Sequence, residues 1–536
     1  MKYPIGIQSF EKLRKGGYVY VDKTDIIYKL VQGAVYFLGR PRRFGKSLLV
    51  STLKAYFEGR KDLFEGLKIM EEEQDWVKYP VLNFDFNGVM VTTKNGLLDY
   101  LTSVVESAEQ AYGVTPGVIS DVAQRFRHLI ECLHKATGQR VVVLVDEYDK
   151  PLLDLMETGK PGYDEQMEAN RTLLKAFFSV FKAADDHLRF VLLTGITKFS
   201  QVSMFSGFNQ PDDISLDKRY DTLLGITEDE LFTVFAEPIR ELADAQGMTE
   251  DQAKDWLKSQ YDGYHFSERF IDIYNPFSII NCFAHNHVDN YWFSSGTPSY
   301  LVRLTANSQE DMMQYTGKYY PRQMFVDYMA DRAMPLPMIF QGGYLTIKDY
   351  NWKLQTYRLD FPNNEVRQGF VTLLANSYLQ PKDDASSWVI DMVMALSEGD
   401  LEQVRRLFTS FLAETPYSMR PKKDQKDREL YFHYTFYLLM RLISCYTVYT
   451  EKQLSEGRAD CIVETDDYIY IFEFKLDGTA DEALAQIYER GYGKPYEADN
   501  RQVYFIGASF SSKTGTVEEW KVAQVSNKEL WEDISI

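Results

Sequence analysis

Residues 141–147 read VVVLVDE: five consecutive apolar residues, four of them valine, run directly into two carboxylates. Successive side chains of a strand point to opposite faces, so a run that is apolar at every position leaves no face for water. The segment is too short and too rich in valine for a buried helix. It therefore predicts a strand covered on both sides, the situation of a parallel sheet with helices packed above and below. Asp146 and Glu147 fall at the C-terminal tip of that strand, the edge where ligand crevices open in such sheets.

Neighbouring segments agree with this frame. AVYFL (34–38), YPVLNFDF (79–86) and LRFVLLTG (188–195) read as further buried strands. KSLLVSTLKAYFEG (46–59) places Leu48, Leu49, Leu53, Tyr56 and Phe57 at helical spacing and stops at Gly59. Residues 122–138 form an amphipathic helical pattern through Phe126, Ile130 and Leu133, closed by Gly138. Strands alternating with helices imply an α/β fold. At 536 residues the chain is too long for one core, and two to four domains are expected.

FLGRPRRFGKSLLV (37–50) lies between the first of these strands and its helix. A phosphate cradle needs backbone N–H groups and a helix N-terminus aimed at the anion, a lysine for the β- and γ-phosphates and a hydroxyl for Mg²⁺. Gly45, Lys46 and Ser47 supply these parts, while Arg42 and Arg43 add positive charge. The usual pattern wants glycine five positions before Gly45, where Arg40 stands instead. The partner strand supports the assignment: Asp146 can complete the Mg²⁺ shell and Glu147 can orient or deprotonate water. Thr194, at the tip of the next strand, can sense the γ-phosphate. The reading is an ATP site with Mg²⁺ held at Ser47 and Asp146.

After about Gly225 the texture changes. Residues 226–247 read as one capped helix, and YDGYHF and YNPFS are aromatic, turn-rich segments that suit packing of a lid. The expected division is a P-loop domain at 1–225, a mainly helical or winged-helix lid at 226–416 and an α/β unit at 417–536. In the last, a helix over LYFHYTFYLLMRLIS precedes three strands, then a helix, then a final strand RQVYFIGAS, together a meander with helices.

Residues 457–478, GRADCIVETDDYIYIFEFKLDG, carry a second constellation. Glu473 and Lys475, two apart on a strand, share one face. If TDDY is a turn that pairs Glu464 with Ile469, Asp460 falls opposite Glu473. Adjacent carboxylates repel unless a cation joins them, and Mg²⁺ favours such a pair with water and phosphate oxygens. Mn²⁺ would also fit. An ion so held activates water and stabilises charge on a phosphodiester, and Lys475 would orient that water.

The net charge of −19 excludes a protein that grips duplex nucleic acid over its whole surface, so any contact is local or helped by metal ions. The N-terminus lacks a secretory pattern, the apolar runs are too short to cross a bilayer, and the four cysteines form no CxxC pair. A cytoplasmic chain with reduced thiols and no membrane partner is expected. Seven scattered histidines suggest no transition-metal site.

YVDKTDIIYKL, RPRRFGKSLLV, VLVDEYDKPL, LLTGITKFS and YNPFS together resemble the bacterial AAA-ATPase-like family, whose members carry a C-terminal domain of the PD-(D/E)XK nuclease superfamily. In that family RPRRFGKS is the usual form of the loop. The resemblance implies ATP binding with Lys46, Ser47, Asp146 and Glu147 in the roles given above. The D…E-x-K arrangement of Asp460, Glu473 and Lys475 resembles the nuclease superfamily, which implies the Phe474 carbonyl as a further metal ligand. It also implies an acid on the preceding helix, Glu429 or else Glu451, and a catalytic glutamine at Gln486. Four residues on, where tyrosine is expected, stands Arg490; Tyr488 or Tyr492 can substitute. VDKT at 21–24 is a shared signature with no role evident from the residues.

Two functions follow: an ATP-regulated, metal-dependent nuclease acting on nucleic acid, DNA before RNA, or an ATP-driven switch whose C-terminal domain binds nucleic acid or protein without cleaving. Homo-oligomerisation is left open.

Overall fold

The computed structural model describes residues 1–90, 93–116, 118–158, 163–198, 211–295, 315–326, 335–370, 385–414, 447–454, 457–465, 467–497 and 499–525. These form two compact units, Met1–Arg367 and Gln368–Ile536.

In the first unit, helices α1 (Phe10–Gly16) and α2 (Thr24–Leu30) precede strand β1 (Val35–Gly39) and helix α3 (Lys46–Phe57). β1 joins β2 (Val81–Asp85), β3 (Val141–Asp146), β4 (Leu188–Gly195) and the short β5 (Asp212–Asp213) in a sheet of order β2-β3-β4-β1-β5. Every pairing in it is parallel. All six residues of β3 are buried, as its apolar run requires. On one face Leu49, Leu53 and Phe57 of α3 pack against Val142, Leu144 and Leu192. On the other, Phe84 meets Phe126 and Phe177, whose rings stack with centroids 4.5 Å apart. Burying each such side chain contributes about 1.5–3 kcal/mol.

The region after Gly225 sets short strands among its helices. β6 (Ile226–Thr227) pairs with β7 (Ile273–Tyr274), and β8 (Lys318–Pro321), β9 (Thr346–Asn351) and β10 (Thr356–Asp360) make an antiparallel sheet of order β8-β10-β9. The single helix expected over 226–247 is two, Glu228–Val234 and Ala236–Gln246, with a break at Phe235. Pro238 explains the break: it lacks an N–H, and its ring would clash with the carbonyl four residues earlier in a continuous helix. This region joins the sheet in one compact unit, because Phe44 packs edge-on against Tyr264 and Phe266 at centroid distances of 4.9 and 5.5 Å.

The second unit holds helices Ala385–Glu398 and Leu401–Glu414 against a sheet of order β11-β12-β13-β14-β15. The strands are β11 (Thr447–Leu454), β12 (Gly457–Glu464), β13 (Tyr468–Leu476), β14 (Gln502–Phe510) and β15 (Val517–Val525). Tyr470 donates to the Leu396 carbonyl at 2.6 Å, and Phe408 packs on Phe510. These contacts place both helices with the C-terminal sheet, ahead of the 416/417 boundary drawn from the sequence. The sheet is not a simple meander, since β13 and β14 are parallel, and helix Ala480–Glu489 makes the crossover such a pair requires. β14 is not the last strand either. β15, VEEWKVAQV, carries charges that suit an edge strand and blunt its apolar signal.

Among the described residues no helix is long and apolar enough to cross a membrane. The expected helix 430–444 and Glu429 lie outside the described residues.

Candidate nucleotide and metal sites

The loop between β1 and α3 is shaped by three left-handed or tightly anchored residues. Arg43 and Gly45 have φ of 67° and 95°. Gly45 is the N-cap of α3, so the N–H groups of the helix's first turn are left without an intrahelical partner. Lys46 is buried and donates to the carbonyls of Arg40 and Pro41 at 2.9 and 3.1 Å. Burial pulls its ammonium down, opposed by Glu147, Asp146 and Asp149. These carboxylates make Lys46 an ammonium enclosed by negative charge.

Arg40, at the position of the absent glycine, is 2% exposed. Its guanidinium donates to the carbonyls of Ser215, Gly39 (3.0 Å) and Tyr220 (3.3 Å), and lies 4.0 Å from the Phe266 ring centroid. Burial pulls its pKa down to about 9. It ties the start of the loop to the segment after β5. The Arg42 carbonyl accepts from Trp292 Nε1 at 3.0 Å, and the Arg43 guanidinium lies 5.2 Å from the Phe277 ring.

Strand order brings the remaining groups together. β4 lies between β1 and β3, with Leu38 level with Thr194 and Val145 level with Leu193. Thr194 Oγ1 accordingly donates to Asp146 Oδ1 at 2.5 Å. Glu147 turns out of the strand at φ 52°, and burial raises its carboxyl pKa. Asp149, which the sequence reading missed, is 1% exposed. Its Oδ2 accepts from the N–H of Ile196 (2.9 Å) and of Thr197 (2.6 Å), and from Thr197 Oγ1 (2.8 Å). Tyr148 N–H donates to the Thr194 carbonyl at 3.0 Å. The tips of β3 and β4 are thus cross-linked. Asp149 follows Asp146 by three residues in DEYD, and only its place at the end of the buried strand β3 hinted at it. Arg219, also in the segment after β5, is exposed and paired with Asp217 and Asp212.

In the second unit, β12 and β13 pair from Glu464↔Ile469 to Cys461↔Phe472, the register read from the turn. Beyond it Asp460 Oδ2 accepts the N–H of Phe474 at 2.9 Å. Glu473 is 2% exposed. Its Oε1 accepts from Gln486 Nε2 and lies 3.6 Å from Lys475 Nζ, which donates to Gln486 Oε1 at 2.6 Å. Glu473 Oε2 is buried with no hydrogen-bond partner. Burial, and then the Asp460 carboxylate, push the Glu473 pKa up to about 8. Gln486 reaches this cluster because its helix comes close over Gly507, which is level with Glu473. A Cβ on Gly507 would stand 2.3 Å from the Ala480 carbonyl.

An orphaned buried carboxylate oxygen beside a second carboxylate fits a divalent ion: the ion supplies the missing partner and favours the ionised form that burial opposes. Among the described residues no group of three His, Cys, Asp or Glu is gathered that could hold a metal ion; the candidate here is the Asp460–Glu473 pair. Glu451, the second choice for the helical acid, is instead on strand β11, between Thr450 and Lys452, which pair with Cys461 and Ala459. Tyr492 is in the core and Tyr488 packs edge-on against Phe505. His285 bonds the Asn281 carbonyl within its helix.

A lysine-bearing loop at the tip of β1, faced by the acidic tip of β3 across a five-stranded parallel sheet, is the P-loop NTPase fold, here with a C-terminal PD-(D/E)XK domain. Family models agree: "Predicted AAA-ATPase" matches residues 4–205 and "PD-(D/E)XK nuclease superfamily" matches 427–520. An uncharacterized protein in the vnfD 5′ region of Azotobacter chroococcum mcd 1 is 35% identical over 523 residues, covering 96% of this chain and 98% of the relative. The chain belongs to the family of AAA-ATPase-like proteins with a C-terminal PD-(D/E)XK nuclease superfamily domain. Two solved structures are also similar. They are the Aeropyrum pernix ORC1 protein in complex with DNA (10% identity, 67% of this chain and 93% of that one, TM-score 0.23) and Cdc6p from Pyrobaculum aerophilum (10%, 66% and 92%, 0.21).

Proposed function

We propose that this protein is an ATP-hydrolysing P-loop ATPase whose nucleotide state regulates a metal-dependent nuclease in the same chain, acting on nucleic acid, DNA before RNA. In this reading Gly45, Lys46, Arg42 and Arg43 hold the phosphates, and Ser47 and Asp146 hold Mg²⁺. Glu147 accepts the proton of the attacking water, and Thr194 reads the γ-phosphate while fixing Asp146. Asp460, Glu473 and the Phe474 carbonyl would hold Mg²⁺ or Mn²⁺ in the C-terminal unit, with Glu429 as a further acid. That ion supplies Lewis-acid activation of water and charge stabilisation at the phosphodiester. Lys475, held by Gln486, orients the water and offers positive charge to the developing oxyanion. A bacterial, cytoplasmic setting belongs to the same reading.

The observation that carries it is the Glu473 carboxylate, buried beside Asp460 with one oxygen unpartnered and an ammonium within 3.6 Å. Most buried polar atoms have a hydrogen-bond partner, and a bound ion would supply the one this oxygen lacks. The test is cleavage of DNA and RNA with Mg²⁺ or Mn²⁺, with and without ATP, by the full chain and by Glu473→Ala and Lys475→Ala. Wild type should cleave and both variants should not; equal behaviour of all three rejects the nuclease. ATP-dependent association with nucleic acid and no cleavage by any of them would establish the non-cleaving switch.

A further inference from the structure

Gly39, Ile196 and Asp213, at or just past the C-terminal ends of β1, β4 and β5, open onto a cavity of about 530 Å³ within the first unit. Phe37, Ile196, Leu216, Phe266, Phe340 and Leu345 give it apolar walls. That size and lining suit a small organic ligand oriented by a few polar groups. Among the described residues its charged side chains are Arg40, Lys198 and Asp213. His265 also lines it, with both ring nitrogens engaged, by the Ile347 carbonyl (2.6 Å) and by Asp272 (2.7 Å).

Lys198 and Asp213 pair at 2.7 Å and neutralise one another, so Arg40 remains as a net positive charge. Its hydrogen bonds run to backbone carbonyls, and among the described residues no carboxylate lies within ion-pair distance of it. The two carboxylates that act on it through space are engaged elsewhere: Asp213 with Lys198, and Asp221 with the Ser267 hydroxyl at 2.5 Å and with Arg269 at 3.6 Å. Arg40 Nε is buried with no hydrogen-bond partner. A buried cation without a counter-ion and a buried N–H without an acceptor each cost free energy that an anion in the cavity would recover. One free N–H and one positive charge match a carboxylate, while the apolar walls exclude a polyphosphate.

The same cavity borders the parts of the nucleotide site. The Arg40 carbonyl holds Lys46 Nζ at 2.9 Å. Gly343, a further lining residue, lies so near the loop that a Cβ on it would stand 2.6 Å from Pro41 Cβ. The N–H of Lys198, four residues after Thr194, donates to Gln341 Oε1 at 2.7 Å. An occupant therefore bears on both the loop and the exit from β4.

We propose that this cavity binds a small carboxylic acid with an apolar body, its carboxylate paired with Arg40, and that the occupant is an effector of nucleotide binding. Fixing Arg40 fixes the carbonyl that anchors Lys46, so the occupied cavity favours ATP. The effector role rests on the reading of residues 40–47 as a phosphate cradle; the binding site does not.

The probe is para-fluorophenylbutyrate, with para-fluorophenylbutanol as its uncharged counterpart, and fluorine NMR on the full chain reads both affinities. Wild type should bind the acid roughly tenfold or more tighter than the alcohol; equal affinities, or no binding, overturn the proposal. Leu216→Trp, at a half-buried position on the wall, should abolish binding of both, and unchanged affinity overturns the location. Arg40→Met should bring the acid down to the level of the alcohol, and a preserved preference overturns the pairing. Where either variant does not fold, photolabelling of wild type by para-azidophenylbutyrate decides. Labels within residues 37–41, 196–198, 213–216, 264–266 or 340–346 support the site, and labels elsewhere overturn it. Saturating acid should tighten ATP binding about fivefold or more, and ATP should tighten the acid by the same factor. ATP affinity unmoved by bound acid overturns the effector role, whereas a wild type that binds the acid but not ATP overturns the cradle instead.

Discussion

Asp460 accepts the backbone N–H of Phe474 at 2.9 Å, just past the point where the β12–β13 ladder ends at Cys461↔Phe472. The side chain replaces a strand-to-strand bond and holds the carboxylate beside Glu473. Burial and that neighbour raise the Glu473 pKa from 4.5 to about 8. Between those values the native chain keeps a proton that the unfolded chain has released. Stability of metal-free protein therefore falls as pH rises through this window. Glu473→Gln should flatten that dependence in chelator-treated protein, measured as hydrogen exchange along β13. A slope unchanged in the variant would place the titration elsewhere.

A divalent ion competes with the same proton. Mn²⁺ binding to the C-terminal unit should strengthen as pH rises toward and past 8, with proton release. Calorimetry in buffers of different ionisation enthalpy reads both. Glu473→Gln should abolish the proton release, and retention of it would exclude this pair as the binding site.

Gly507 sits level with Glu473 under helix Ala480–Glu489, where a methyl group would stand 2.3 Å from the Ala480 carbonyl. Gly507→Ala should displace the helix, lower stability by about 1–3 kcal/mol and separate Gln486 from Lys475. Cleavage should drop further than nucleic-acid binding does. Full cleavage in a destabilised variant would show that Gln486 does not position the lysine.

The two strand tips were legible in the sequence for a plain reason: VVVLV admits one environment, and a period of two fixes which residues of YIYIFEFK share a face. The turn at TDDY then set Asp460 against Glu473. What escaped depends on contacts between distant segments. Nothing local tells that Asp149 will bond Ile196 and Thr197, or that Lys23 will meet Glu230. Pro238 in AEPIR was a readable helix break, overridden by a strong amphipathic pattern on both sides. β15 was hidden because half of it faces water.

Thr194 and Asp146 form the buried bond that aligns the proposed Mg²⁺ ligand. Thr194→Val leaves Asp146 without that donor, at a cost of about 1–3 kcal/mol. ATP should still bind, with a higher Mg²⁺ requirement for hydrolysis. Glu147→Gln, by contrast, should keep nucleotide affinity and lower turnover by roughly a hundredfold. Phosphate release at varied Mg²⁺ separates the two; identical profiles would mean that Thr194 acts on water rather than on the metal.

Arg40 stands where the common loop pattern has glycine, and restoring that glycine is the informative change. The arginine is buried, bonded to the carbonyls of Ser215, Gly39 and Tyr220, and stacked on Phe266. It therefore braces the loop against the segment after β5 and against the region after Gly225. Gly45 and Arg43 already supply the left-handed turns, so a glycine in place of the arginine adds freedom without a conformational need. Arg40→Gly should lower stability by about 3 kcal/mol, through lost bonds to a charged group and carbonyls left bare. It should also weaken ATP binding, because Lys46 is held by the Arg40 carbonyl at 2.9 Å and loses a fixed anchor. Arg40→Lys should recover little, since an ammonium cannot reach three carbonyls and stack on a ring at once. Chemical denaturation and nucleotide titration of both variants check this; an Arg40→Gly protein as stable and as tight for ATP as wild type would show that the arginine has no part in shaping the cradle.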